Sequence, residues 1–175
     1  EGGADNPKWS PDGKTIYFLS PRGAGETSQL WKTDVSGATA TQVTRLPLDI
    51  GSYRITPDGK GVVFSLAVFP ECKGNEIACT LKKNEARKAD KSTGDLYNKL
   101  FIRHWDTWSD GTRNHLFYMT LDGAASPVAL MDGFDGDVPS KPWGDEADYS
   151  ISPDSKTFYF SARLAGTTEP WSTNF

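Results

Sequence analysis

Short runs of aromatic and β-branched residues recur along the chain, and each of the clearest begins straight after the same polar turn. Ser10-Pro11-Asp12-Gly13-Lys14 returns as Thr56-Pro57-Asp58-Gly59-Lys60 and as Ser152-Pro153-Asp154-Ser155-Lys156. Pro presets φ for the first corner of a type I turn, Asp bonds its own backbone, and Gly takes the left-handed position. Ser155 departs from that pattern, because a Cβ is unfavourable there. The flanks repeat as well. Asn6-Pro7-Lys8-Trp9, Ser52-Tyr53-Arg54-Ile55 and Asp148-Tyr149-Ser150-Ile151 precede the turns. Thr15–Ser20, Gly61–Leu66 and Thr157–Ala162 follow them. Each copy predicts a β-hairpin.

The first copy continues into a third strand, Gln29–Asp34, and a fourth, Thr41–Leu46, joined through Val35-Ser36-Gly37. Ser10 and Thr56 lie 46 residues apart, and four strands per roughly 40–50 residues is the period of a propeller blade. Thr56 and Ser152 lie 96 residues apart, which predicts an insertion within the second blade. Strands resume at His115–Thr120 and Val128–Met131, with Leu121-Asp122-Gly123 between them. The expected fold is all-β: a partial β-propeller of about three four-stranded antiparallel blades, the last incomplete, with a partly helical insertion in the second. Blade one spans about 6–47, blade two about 48–131 with its insertion at 69–114, and blade three about 132–175. The insertion holds the only helical stretch, near Leu81 to Asp90. Thr168–Phe175 falls inside the third strand of the third blade, so the sequence reads as a fragment with exposed blade faces.

Composition agrees with this reading. The 175 residues include 6 Trp, 6 Tyr, 9 Phe, 17 Gly and 11 Pro, which suits short strands and tight turns. A net charge of −4 argues against nucleic acid as a partner. The one basic concentration, Lys82, Lys83, Arg87, Lys88 and Lys91, reads as a solvated helix face. No window approaches the ~20 apolar residues of a membrane span. Glu1-Gly2-Gly3-Ala4-Asp5 is too polar for a signal peptide, so the sequence is expected to start after any targeting segment. Cys72 and Cys79 are too few for zinc, leaving a disulfide loop or two free thiols. A close pair in a loop containing Gly favours the disulfide, and with it a periplasmic or secreted protein over a cytoplasmic one. Asp132, Asp135, Asp137, Asp145, Glu146 and Asp148 fit no EF-hand spacing and read as an acidic connection between blades, so no metal is expected.

Two further stretches carry a resemblance. They are Phe101-Ile102-Arg103-His104-Trp105-Asp106-Thr107-Trp108-Ser109-Asp110-Gly111 and Asp135-Gly136-Asp137-Val138-Pro139-Ser140-Lys141-Pro142. With the cysteine loop, they resemble the N-terminal propeller of bacterial serine peptidases of the prolyl-oligopeptidase clan, of the dipeptidyl-peptidase and acylaminoacyl-peptidase type. The turn hairpins themselves are shared with other propellers, including those of the Tol system.

The resemblance implies a C-terminal α/β-hydrolase domain as partner, carrying the catalytic triad, with the propeller as its cap and short peptides as substrates. The Gly-x-Ser-x-Gly nucleophile elbow is absent from this sequence, so no catalytic residue and no cofactor are expected in it. Acidic side chains of such propellers hold the substrate's free amino group, which makes Glu71 a candidate. Arg103, His104, Trp105, Asp106 and Trp108 form the densest polar and aromatic patch. That patch reads either as an interface or substrate entrance, or as indoles packed beneath the insertion with Arg103 and Asp106 tying it down. The alternative function is a periplasmic binding module that displays the insertion to a protein partner. Exposed blade edges predict self-association.

Overall fold

The computed structural model describes residues 3–23, 25, 27–98, 102–104 and 106–164. Strands β1 (Asp5–Trp9), β2 (Thr15–Ser20), β3 (Gln29–Asp34) and β4 (Thr41–Gln42) form an antiparallel meander. A second four-stranded sheet contains β5 (Ile50–Ile55), β6 (Gly61–Val68), β9 (Arg113–Thr120) and β10 (Val128–Ala129). Between β6 and β9 lie helix α1 (Glu76–Ala89) and a ribbon of β7 (Arg103–His104) and β8 (Thr107–Trp108). A single 3-10 turn (Glu146–Asp148) leads into a third sheet, where β11 (Tyr149–Ile151) pairs with β12 (Phe158–Phe160). The expected third strand at 168–175 lies outside the described residues.

The repeated turn is built from its own side chains. Ser10 Oγ donates to Asp12 Oδ1 at 2.6 Å, and the Lys14 amide donates to the same oxygen at 3.2 Å. The Thr15 amide then returns to Ser10 Oγ at 2.9 Å. Thr56 with Asp58 and Ser152 with Asp154 repeat the pattern. The left-handed position is Gly13 and Gly59, both at φ +69°, and Ser155 at +60°. At Ser155 the hydroxyl does something glycine cannot: it accepts the Asp58 amide of the preceding blade's turn at 3.0 Å.

Alternation explains the core. Val62, Phe64, Leu66 and Val68 of β6 face blade one, joining Tyr17, Leu19 and Leu30. Val63 of β6 and Leu116 of β9 face the other way, onto Met131, Val138 and Tyr149. Blade two is therefore covered on both sides, which is why β6 reads as an almost continuous apolar run. Each such side chain contributes roughly 1.5–3 kcal/mol on burial. Phe64 and Phe117 stack across the β6–β9 pair with ring centroids 6.1 Å apart.

Strand β10 ends at Ala129 rather than Met131 and β12 spans only Phe158–Phe160, and two further elements differ more. Strand β4 stops at Gln42 rather than reaching Leu46. The buried Gln29 amide takes over the pairing there, accepting the Leu46 amide at 2.7 Å and donating to Leu46 O at 3.0 Å. Helix α1 starts at Glu76, a turn before Leu81. Its first turn contains Cys79 and the buried Glu76, whose tertiary partners hold it helical.

The first strands of the sheets converge. Tyr53 of β5 donates its hydroxyl to Asn6 O of β1 at 2.8 Å, and Arg54 Nε donates to Glu146 O at 2.8 Å. Lys8 of β1 reaches past blade two altogether to bond Glu146 Oε1 at 2.5 Å. A contact between blades one and three is possible only where the blades approach a common axis, so the first strands are innermost. Burial pushes the hydroxyls of Tyr53 and Tyr149 well above the ordinary tyrosine range.

Candidate functional site

The insertion is fastened to blade two at several points. Cys72 and Cys79 are joined in a disulfide, and the Phe69 amide donates to Thr80 Oγ1 at 3.0 Å. At the start of α1, Glu76 Oε1 lies 2.7 Å from Nδ1 of His115, which is fully buried in β9. Nε2 of the same ring lies 2.7 Å from Phe134 O, so it carries a hydrogen. One imidazole thus links the helix, the blade and the connection to blade three. The second carboxylate oxygen, Glu76 Oε2, is buried with no hydrogen-bond partner among the described residues.

The acidic connection is consumed by structure. Asp135 and Asp137 pair with the buried Arg113, at 2.9 Å to Nε and 3.7 Å to Nη1. Asp132 accepts the Gly74 amide, Asp145 caps the 3-10 turn, and Asp148 accepts the Ser140 amide. Among the described residues, no group of three or more acids, histidines or cysteines has the arrangement of a metal site.

Between α1 and the segments 95–98 and 109–111 the insertion opens a groove of about 640 Å³. Glu71 lines it, paired with Lys83. Partial burial opposes charge on the Glu71 carboxyl, but the hydrogen bond and charge of Lys83 outweigh it and hold the group below the usual carboxylate range. Lys83 and Arg87, one turn apart, both lie over the Phe69 ring, at 4.6 and 5.5 Å. Arg87 Nη1 donates to Asp110 O at 2.7 Å. Burial likewise opposes charge on Asp110, and the Lys141 cation with the Thr112 hydrogen bonds overrules it. Lys82, Lys88 and Lys91 are exposed, as expected of a solvated face, but Lys83 and Arg87 are groove residues. Their i, i+4 spacing was the signal in the sequence.

The ribbon carries the polar and aromatic patch. Arg103 lies 5.2 Å over the Trp108 ring, which also stacks on Tyr97 at 6.2 Å. His104 meets Trp143 edge-on at 4.5 Å. Trp108 is 53% exposed, so it does not pack beneath the insertion. Asp106 is exposed and accepts from Thr107 rather than anchoring through Arg103. Trp105 lies outside the described residues. Glu71 and Trp108 are thus brought to neighbouring faces of one insertion, with Tyr97 and Asp110 between them.

The fold defines a β-propeller region whose middle blade displays a stapled, grooved insertion. No family model matches the chain. It is 34% identical to dipeptidyl-peptidase 5 of Porphyromonas endodontalis over 91% of its length. It is 29% identical to dipeptidyl-peptidase 5 of Porphyromonas gingivalis over 96%. The chain spans only 22% and 23% of those relatives. A TolB-type structure from Agrobacterium tumefaciens superposes at a TM-score of 0.53 and 22% identity, covering 94% of this chain and 44% of that one, a likeness of fold. The resemblance to the propeller region of dipeptidyl-peptidase-type serine peptidases is thereby borne out by the relatives, and the propeller fold by the TolB-type likeness.

Proposed function

We propose that the chain is the non-catalytic propeller part of a periplasmic or secreted serine exopeptidase, where it caps an α/β-hydrolase domain, gates entry and helps recognise short peptides. The observation that supports this reading is the insertion groove, with the Glu71 carboxylate on its wall beside Tyr97 and Asp110. A peptide's free ammonium can displace Lys83 from Glu71, an exchange of one charge-assisted hydrogen bond for another. The disulfide supports the exported location.

Calorimetric titration of the protein with a tripeptide and its N-acetylated form tests the recognition step. The free amine is expected to bind, Glu71→Gln to weaken it about tenfold, and acetylation to abolish it. Equal binding of the acetylated peptide overturns the reading. Self-association through blade edges is part of the same proposal, and a concentration-independent monomer in sedimentation counts against it.

A further inference from the structure

Where the first strands converge, a second and separate site faces the axis. The repeat places Lys8, Arg54 and Ser150 at equivalent positions, each two residues before a turn's Ser or Thr. Together with Trp9, Pro11 and Pro57 they line a cavity of about 260 Å³. Its two cations both stabilise the Glu146 carboxylate, but only Lys8 bonds it directly. Lys8 is neutralised by Glu146, and its ammonium also lies 5.4 Å from the Tyr53 ring centroid.

Arg54 is held differently. Its Nε is engaged by a neutral carbonyl, Glu146 O, and its guanidinium is supported 5.7 Å over the Tyr149 ring. Among the described residues, neither Nη1 nor Nη2 of Arg54 has a hydrogen-bond acceptor. The fork is therefore fixed at its base and open at its tip. Beside it, Trp9 is 58% exposed, a large apolar face left bare at the rim of the cavity. A guanidinium fork matches a carboxylate through two parallel N–H···O bonds, and the indole and proline rings suit an apolar group next to it.

We infer that this axial cavity binds a carboxylate attached to an apolar or aromatic group, with Arg54 taking the carboxylate and Trp9 the apolar part. A peptide's C-terminal carboxylate and a small aromatic acid share this chemistry. The site does not depend on the groove or on Glu71, so either assignment stands or falls without the other.

The probes are 3-phenylpropionate, its amide, and an N-acetylated Ala-Phe dipeptide with a free or amidated C-terminus, titrated against the full chain and followed by tryptophan fluorescence. Both free acids are expected to bind saturably and more weakly as salt is raised, and both amides to bind at least about tenfold less. Tighter binding of the dipeptide acid than of phenylpropionate identifies a peptide C-terminus as the ligand, and the reverse identifies a small organic acid. Arg54→Gln is expected to weaken the acids about ten- to hundredfold, with Arg54→Lys between it and the unaltered protein. Because Arg54 also braces β11, Trp9→Ala is the control that leaves the core untouched. It is expected to weaken both acids severalfold at an unchanged melting midpoint. Equal binding of acid and amide, or full binding by a folded Arg54→Gln protein, overturns the inference.

Discussion

Ser155 tests whether the turns hold the blades together as well as shaping them. It occupies φ +60°, a conformation that disfavours an L-residue by roughly 1–2 kcal/mol, and its hydroxyl accepts the Asp58 amide across the blade boundary. A hydrogen bond of this kind contributes about 1 kcal/mol net. Ser155→Ala loses the bond and keeps the strain, so it is expected to destabilise the protein by about 1 kcal/mol, lowering the midpoint by roughly 2–4 °C at this size. Ser155→Gly loses the bond but relieves the strain, while gaining roughly 0.4–1 kcal/mol of unfolded-state freedom. These three terms nearly cancel, placing the glycine variant within about 1 kcal/mol of the parent and above the alanine variant. Urea unfolding at constant m-value, followed by circular dichroism, reads both differences. An alanine variant that unfolds with the parent would show that the inter-blade bond contributes nothing. A glycine variant well above the parent would show that strain alone governs the position.

Three other perturbations follow from the fastening of the insertion and from the turn acids. Glu76→Ala leaves the buried His115 Nδ1 without its hydrogen-bond partner and is expected to remove about 1–3 kcal/mol, with hydrogen exchange accelerating first in α1. Replacing both Cys72 and Cys79 by Ser opens a loop with a sequence separation of 7, for which chain entropy gives about 2.5 kcal/mol, again read as faster exchange in α1. The hydrogen bonds of Ser10, Thr56 and Ser152 set Asp12, Asp58 and Asp154 below the ordinary 3.8. A depressed folded-state value contributes stability that is complete above the unfolded value and lost as pH falls through the folded one. Asp58→Asn is therefore expected to destabilise at neutral pH and to flatten the acid limb below roughly pH 4 in a stability–pH titration.

Features whose chemistry is local were readable in the sequence. The turns depend on residues two and five positions apart, so each copy carried its own instructions, and β3 falls at Gln29–Asp34 as the alternation implied. The fourth strand was over-read because Gln29, which replaces its ladder, belongs to a different strand. Glu71 is marked in the sequence only as an acid suited to a substrate amine, and the fold places it on a groove wall that no local pattern describes. Arg54 passed as one polar residue of a strand. Its importance comes from Glu146 and Tyr149, more than ninety residues away, and from Lys8 on the opposite side. Sequence periodicity reports which face of a strand is buried, but not which distant backbone arrives to cover it.

The stapling of the insertion also separates what can vary from what cannot. Among the described residues, the ties from α1 to the blade are made before Asp90, and beyond it His104 meets Trp143 and the chain rejoins the blade at Asp110 and Thr112. The stretch from Lys91 to Asn98 is solvent-facing apart from the half-buried Tyr97, yet it forms one lip of the groove. Length and composition can drift there without disturbing the blade, and each change reshapes the opening. The arrangement is that of a fixed jaw with an interchangeable edge: the shape of the opening can change through a few surface residues while the scaffold stays constant.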